Sequence, residues 1–130
     1  MMTHRRISGG GIWEGQIGYS RAVLAGNTLE ISGTTSATTE GVVLGKDNAF
    51  EQTRAIMDKF SQIMSDAGFS WKDVVRTRIY LTNIEDWEDV ARAHVAYCGE
   101  HPPACTLLQV QKFIHPDMLV EIELTAVRNG

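Results

Sequence analysis

Residues 119–127 read Leu-Val-Glu-Ile-Glu-Leu-Thr-Ala-Val. The alternation is strict: Leu119, Glu121, Glu123 and Thr125 project one way, and Val120, Ile122, Leu124 and Ala126 the other. Side chains alternate across a strand, so this segment is a strand whose aliphatic face is buried. Two carboxylates side by side repel each other. The face bearing Glu121 and Glu123 therefore calls for company: a ligand, a partner subunit, or basic side chains on neighbouring strands. Just upstream, residues 103–111 (Pro-Ala-Cys-Thr-Leu-Leu-Gln-Val-Gln) read as a second strand.

Working outward, residues 74–82 alternate in the same way. Val75, Thr77, Ile79 and Leu81 form one face, and Arg76, Arg78 and Tyr80 the other. A helix is expected near 86–98, starting at Asp86 or the loop before it, with Trp87, Val90, Ala91, His94, Val95 and Cys98 on its apolar side. Pro102-Pro103 stop it. Ala49, Phe50, Thr53, Ile56, Met57, Phe60, Ile63, Met64 and Ala67 also recur at helical spacing. Asp47 or Asn48 can cap that helix and Gly68 can end it. Its Met and Phe residues are read as core. Residues 20–25 and 28–33 are strands joined by the turn dipeptide Gly26-Asn27, and 34–46 form a polar loop. Residues 4–8 form a short strand, and Gly9-Gly10-Gly11 with Gly15 mark a loop. No Gly-Lys-Ser/Thr follows these glycines, so turn chemistry accounts for them better than phosphate binding.

This order predicts an α+β fold: a two-layer sandwich in which a mixed β-sheet carries two helices on one face. The other face holds Glu30, Arg76, Arg78, Tyr80, Glu121 and Glu123. So patterned a face is expected to be buried in an oligomer.

The chain has 130 residues and a formal net charge of -4. That length fits one domain, residues 1–130. The densest basic stretch is His4-Arg5-Arg6, which argues against a dedicated nucleic-acid binder. No apolar run approaches the ~20 residues of a membrane span, and no run of signal-peptide type follows the first charges. A soluble, cytoplasmic protein with no membrane partner is expected. Cys98 and Cys105 form no CxxC pair and no zinc pattern with histidine. Their spacing permits a disulfide, but reduced thiols are expected in an intracellular chain. No metal or cofactor is predicted.

The chain resembles the YjgF/RidA family. The resemblance is carried by Gly18-Tyr19-Ser20-Arg21-Ala22-Val23, by Gly26-Asn27-Thr28-Leu29 with Ser32-Gly33, and by Gln52-Thr53-Arg54. It continues through Ala67-Gly68-Phe69-Ser70, Asp73-Val74-Val75-Arg76-Thr77, Pro103-Ala104-Cys105-Thr106 and Leu119-Val120-Glu121-Ile122-Glu123. It spans residues 17–127, and the order and spacing of the pieces carry it. It implies a chorismate-mutase-like fold and a homotrimer with small-molecule clefts between subunits. It further implies hydrolysis of reactive enamines and imines to ammonia and a 2-keto acid.

The resemblance places the acid/base glutamate at Glu121 and a cleft tyrosine at Tyr19. Gly33, Thr106 and Arg21 join the expected binding residues. The family's carboxylate-holding arginine falls at Cys105, and a neutral thiol makes no bidentate clamp. Standard 2-imino-acid deamination is thereby put in question. Cys105 is read as a small residue in a remodelled cleft, as a reactive thiol, or as a redox sensor. Glu121 is either catalytic or half of an ion pair with Arg76 or Arg78, and Tyr19 either lines the cleft or packs. Arg21 is a candidate replacement for the missing cation. His94 is expected to face the core and His115 to lie in a loop. A hydrolase acting on an altered substrate is the leading reading. The alternative is a non-catalytic trimer that binds a metabolite or acts as a chaperone-like or regulatory protein.

Overall fold

The computed structural model describes residues 3–129; Met1, Met2 and Gly130 lie outside it. One six-stranded sheet runs in the order β1-β2-β3-β6-β4-β5. Its strands are β1 (Arg5–Ile7), β2 (Ala22–Ala25), β3 (Thr28–Thr34), β4 (Val74–Leu81), β5 (Ala104–Gln109) and β6 (Val120–Val127). Only β4 and β5 pair in parallel; the other pairings are antiparallel. The helices are α1 (Ile12–Ile17), α2 (Ala49–Ala67) and α3 (Trp87–Cys98). The α+β class and the mixed sheet agree with the sequence reading.

The β6 alternation appears as expected. Val120, Ile122, Leu124 and Ala126 are each fully buried. They meet Leu29, Ile31, Ile79 and Leu81 on the same sheet face, and α2 covers that face with Ile56, Met57, Phe60 and Met64. Asn48 caps α2 by accepting a hydrogen bond from the Glu51 N–H at 3.0 Å. Gly68 ends it at φ +84°, a left-handed conformation that glycine adopts without strain. Buried Gln52 anchors the helix to the approach to β6. Its Nε2 donates to the carbonyls of Gly45 (3.2 Å) and Asp117 (2.9 Å), and its Oε1 accepts from the Leu119 N–H at 2.9 Å.

Three local expectations are corrected. Gly15 lies within helix α1 rather than in a loop. A glycine lowers helix propensity and hides so short an element. The Glu14 side chain holds the turn, accepting from the N–H groups of Gly9 (3.1 Å) and Gly11 (3.2 Å) and from Ser8 Oγ (3.3 Å). The chain's own carboxylate thus fills the glycine loop. In β4, a register shift between Val74 and Arg76 buries Val74 and leaves Val75 46% exposed. A bulge adds a residue and breaks strict alternation. In α3 the buried residues are Val90, Ala93 and Cys98, while Trp87 and Val95 are half or more exposed. The seated face is rotated by about one position from the predicted one.

His94 is half-buried, its Nε2 3.0 Å from Thr77 Oγ1, and His115 sits in the loop before β6. Both cysteines are free. Among the described residues no helix is long and apolar enough to cross a membrane.

Candidate functional site

A cavity of about 940 Å³ opens where the β1–β3 end of the sheet, α1, α2 and the loops before α2 and β6 come together. Its polar lining includes Tyr19, Arg21, Gly33, Lys59, Glu121 and Glu123. Trp13, Ile63, Phe113 and Met118 supply apolar wall. A largely apolar hollow with a few convergent polar groups is the usual form of a small-molecule site.

Glu121 reaches the cavity from the open face of β6. The pairing of β3 with β6 slips between Ile31 and Thr34, so Ser32 and Gly33 lie at an irregularity beside it. Gly33 gives the carboxylate its space: a Cβ there would stand 2.8 Å from Glu121 Oε2. Burial pushes the Glu121 carboxyl above its ordinary range; Arg21 opposes that shift and Glu123 adds to it. A carboxyl displaced upward is a better proton acceptor than an ordinary glutamate.

Arg21 precedes β2. Its Nη2 donates to the Gly33 carbonyl at 2.5 Å, and its guanidinium carbon lies 5.5 Å from the centre of the Tyr19 ring. Lys59 reaches the same hollow from α2, its ammonium donating to the carbonyls of Thr35 (2.5 Å) and Ala37 (2.6 Å). Burial, and then repulsion from Arg21, lower its pKa to about 8. Glu123 is engaged by Tyr80, whose hydroxyl donates to Oε1 at 2.7 Å; that bond raises the Tyr80 pKa above its ordinary value.

The structure therefore brings Tyr19, Arg21, Gly33 and Glu121 around one hollow. Cys105 and Thr106 stand apart from it within the protomer, on edge strand β5. Cys105 pairs in register with Thr77, whose hydroxyl meets His94 of α3, so the thiol is on the helix side of the sheet. Glu121 is on the opposite side, in register with Tyr80. Thr106 Oγ1 accepts from Arg76 Nη2 at 2.6 Å. The two ion pairs among the described residues are Arg54–Glu51 and Arg92–Asp89, so Glu121 forms none with Arg76 or Arg78 in the protomer.

Sequence reasoning missed Lys59 and Trp13. Lys59 falls at i+3 from Ile56 and i−4 from Ile63, a lone charge within an apolar stripe, and that break in pattern was the available signal. Trp13 went unnoticed with α1.

The family described as Endoribonuclease L-PSP matches residues 14–128. An uncharacterised protein of Streptomyces coelicolor is 34% identical over 126 residues, covering 97% of this chain and 93% of its own. The 3-aminoacrylate deaminase RutC of Acinetobacter baylyi is 32% identical over 108 residues, covering 83% of this chain and 85% of its own. The crystal structure of Rv2704 from Mycobacterium tuberculosis, a member of the YjgF/YER057c/UK114 family, is similar with a TM-score of 0.86 at 36% identity. That similarity covers 97% of this chain and all of the other. With motifs, sheet order and relatives in agreement, the chain belongs to the YjgF/RidA family.

Proposed function

We propose that this protein hydrolyses a small imine, enamine or related metabolite, with Glu121 handling the protons. The observation that carries the reading is the partly buried Glu121 carboxylate, its pKa raised by burial, facing a hollow that Arg21 and Lys59 also line. The similarity to a 3-aminoacrylate deaminase supports the reaction class. In the reaction the Glu121 carboxylate takes a proton from water as the oxygen attacks the C=N carbon. The C=N π pair moves to nitrogen, which takes the proton that Glu121 has just received. The carbinolamine hydroxyl then gives up its proton, by way of Glu121, to the nitrogen as the C–N bond breaks, so that ammonia leaves and a carbonyl remains. Holding water and substrate together in the hollow supplies much of the rate.

The working assembly in this proposal is a cytoplasmic homotrimer. Cys105 and Glu121 lie on opposite sides of one sheet, so a second copy must bring its β5 edge to the cavity for both to meet one ligand. Closed symmetric assembly is the usual solution for such a face. Cys105 would then line the cleft where the family places an arginine. The net charge of -4 weighs against ribonuclease activity. The same cysteine favours a second reading, a trimer that binds a metabolite or regulates without turnover.

The test is hydrolysis of 2-imino acids generated in situ by an amino-acid oxidase, with wild type and Cys105→Arg compared. Activity gained only by the variant shows an intact cleft with altered specificity. Activity already present in wild type shows that another group holds the carboxylate. If neither protein is active on imines or enamines, the binding reading replaces the hydrolase.

A further inference from the structure

We infer that Cys98 and Cys105 are a peroxide-driven, reversible disulfide pair on the helix side of the sheet, in which His94 takes the proton of the resolving thiol Cys98. The site is separate from the cavity beside Glu121, and none of these three residues lines that cavity.

Topology brings the two thiols together. Cys98 is the last residue of α3, and Cys105 the second residue of β5. β4 and β5 pair in parallel, and the chain passes from one to the other through α3. A crossover helix runs back along the strands it connects, so its last turn ends over the first residues of the second strand. Cys105 is the register neighbour of Thr77, and adjacent strands lie about 4.8 Å apart. Thr77 Oγ1 stands 3.0 Å from His94 Nε2, and the same nitrogen stands 3.6 Å from Cys98 Sγ. Two thiols, an imidazole and a hydroxyl therefore share one cluster. Among the described residues no group of three His, Cys, Asp or Glu side chains could hold a metal ion, so the cluster is a thiol pair with a base.

The two sulfurs differ in the way such a pair requires. Cys105 is exposed on an edge strand and is the thiol that an oxidant reaches first. Cys98 is 3% exposed. Burial, and after it the charge of nearby Cys105, push the Cys98 thiol up to about 12, so Cys98 rests as the unreactive thiol. It becomes a nucleophile only if a neighbour removes its proton. His94 is that neighbour. A half-buried imidazole set between a threonine and a cysteine is a costly way to fill a core position. Burial lowers its pKa, so it is neutral at pH 7 and carries a lone pair on one nitrogen. With the proton on Nδ1, Nε2 accepts from the Cys98 S–H.

The chemistry runs in two steps. The Cys105 sulfur attacks a peroxide oxygen and the O–O bond breaks. Cys105 becomes a sulfenic acid, and the peroxide is reduced to water or an alcohol that carries off the thiol proton. Cys98 then passes its proton to His94 and attacks the Cys105 sulfur. The S–S bond forms, the S–O bond breaks, and the departing hydroxide takes the proton from His94 and leaves as water. A dithiol reductant reverses the change by thiol–disulfide exchange.

The experiment treats the folded, fully reduced, full-length protein with hydrogen peroxide, then unfolds and alkylates it. No Lys or Arg lies between Arg92 and Lys112, so trypsin releases both cysteines in one peptide, and cleavage after Glu100 separates them. In wild type that peptide should lose two hydrogens, resist alkylation, and stay joined after cleavage at Glu100 until dithiothreitol is added. Cys98→Ala should stop at a sulfenic acid on Cys105, trapped by dimedone. Cys105→Ser should leave Cys98 unoxidised in the folded protein. His94→Asn should leave the first step unchanged but slow closure by roughly 100-fold, the lower end of general-base catalysis, so that dimedone labels Cys105. A purely structural histidine would not divide the two steps in this way. Over-oxidised Cys105 beside a Cys98 that still alkylates, bonds formed only between chains, or no oxidation of folded wild type would overturn the pair. Unchanged closure in folded His94→Asn would overturn the role of His94.

Discussion

Gly33 lies directly against the Glu121 carboxylate: a Cβ at position 33 would stand 2.8 Å from Oε2 and 3.0 Å from Cδ. The close approach occurs at the β3 irregularity, beside the carbonyl that anchors Arg21. Gly33→Ala should displace Glu121 without requiring a forbidden backbone conformation. A misplacement of about 1 Å can cost about 100-fold in rate. The expected result is a large loss of kcat with the melting temperature lowered by only a few degrees. Steady-state kinetics and thermal unfolding of the same preparation check it.

Burial of Glu121 sets activity against stability. Its folded pKa lies above the unfolded value, so the extra stability from protonation is complete below the unfolded pKa of about 4.3 and is lost as pH rises through the folded pKa. Once ionised, Glu121 is a half-buried charge that a neutral amide would not impose. Glu121→Gln should therefore be inactive yet more stable than wild type at pH 7, by about 0.5–2 kcal/mol. The advantage should shrink toward pH 4. Urea unfolding at several pH values measures it.

His94 acts in the opposite direction. Burial between α3 and β4 lowers its pKa below the ordinary value. The unfolded chain then takes up a proton at a pH where the folded chain does not, so stability falls as pH drops below about 6.5. His94→Asn should flatten the unfolding midpoint between about pH 7 and pH 5. It should also lower stability overall by about 1–3 kcal/mol, because buried Thr77 loses its partner.

The two thiols should differ sharply. Burial, with a smaller contribution from nearby Cys105, pushes the Cys98 thiol up to about 12, while Cys105 is exposed on β5. The thiolate is the reactive form. A thiol reagent should modify one cysteine per native chain and two after unfolding, with Cys105→Ser abolishing the native reaction. Two equally reactive native thiols would contradict the placement of α3 over Cys98.

Where one face of an element is aliphatic, the sequence was enough. Ile122 and Leu124 of β6, and Ile56 and Phe60 of α2, lie where their periods put them. Reading failed where a single residue shifts the phase. Gly15 concealed α1, the bulge at Val75 reversed one position of β4, and α3 seats on Ala93 rather than Val95. Periodicity assigns a side chain to a face but does not say which strands become neighbours. For that reason the meeting of Arg21, Gly33 and Glu121, some 12 to 100 positions apart in the chain, came only from the family resemblance. Lys59 belonged to neither pattern, and only the loop carbonyls of Thr35 and Ala37 explain its place.

The central claim is that Glu121 handles the protons of a hydrolysis in this cavity. The direct measurement is the pH dependence of kcat/KM for an imine or enamine generated in situ, for wild type and Glu121→Gln. Wild type should gain activity with rising pH through one ionisation above the ordinary glutamate range. The variant should be slower by about 100-fold or more, within the usual contribution of general acid–base catalysis, and should lack that ionisation. A Glu121→Gln protein that turns over at the wild-type rate with the same pH profile would contradict the account.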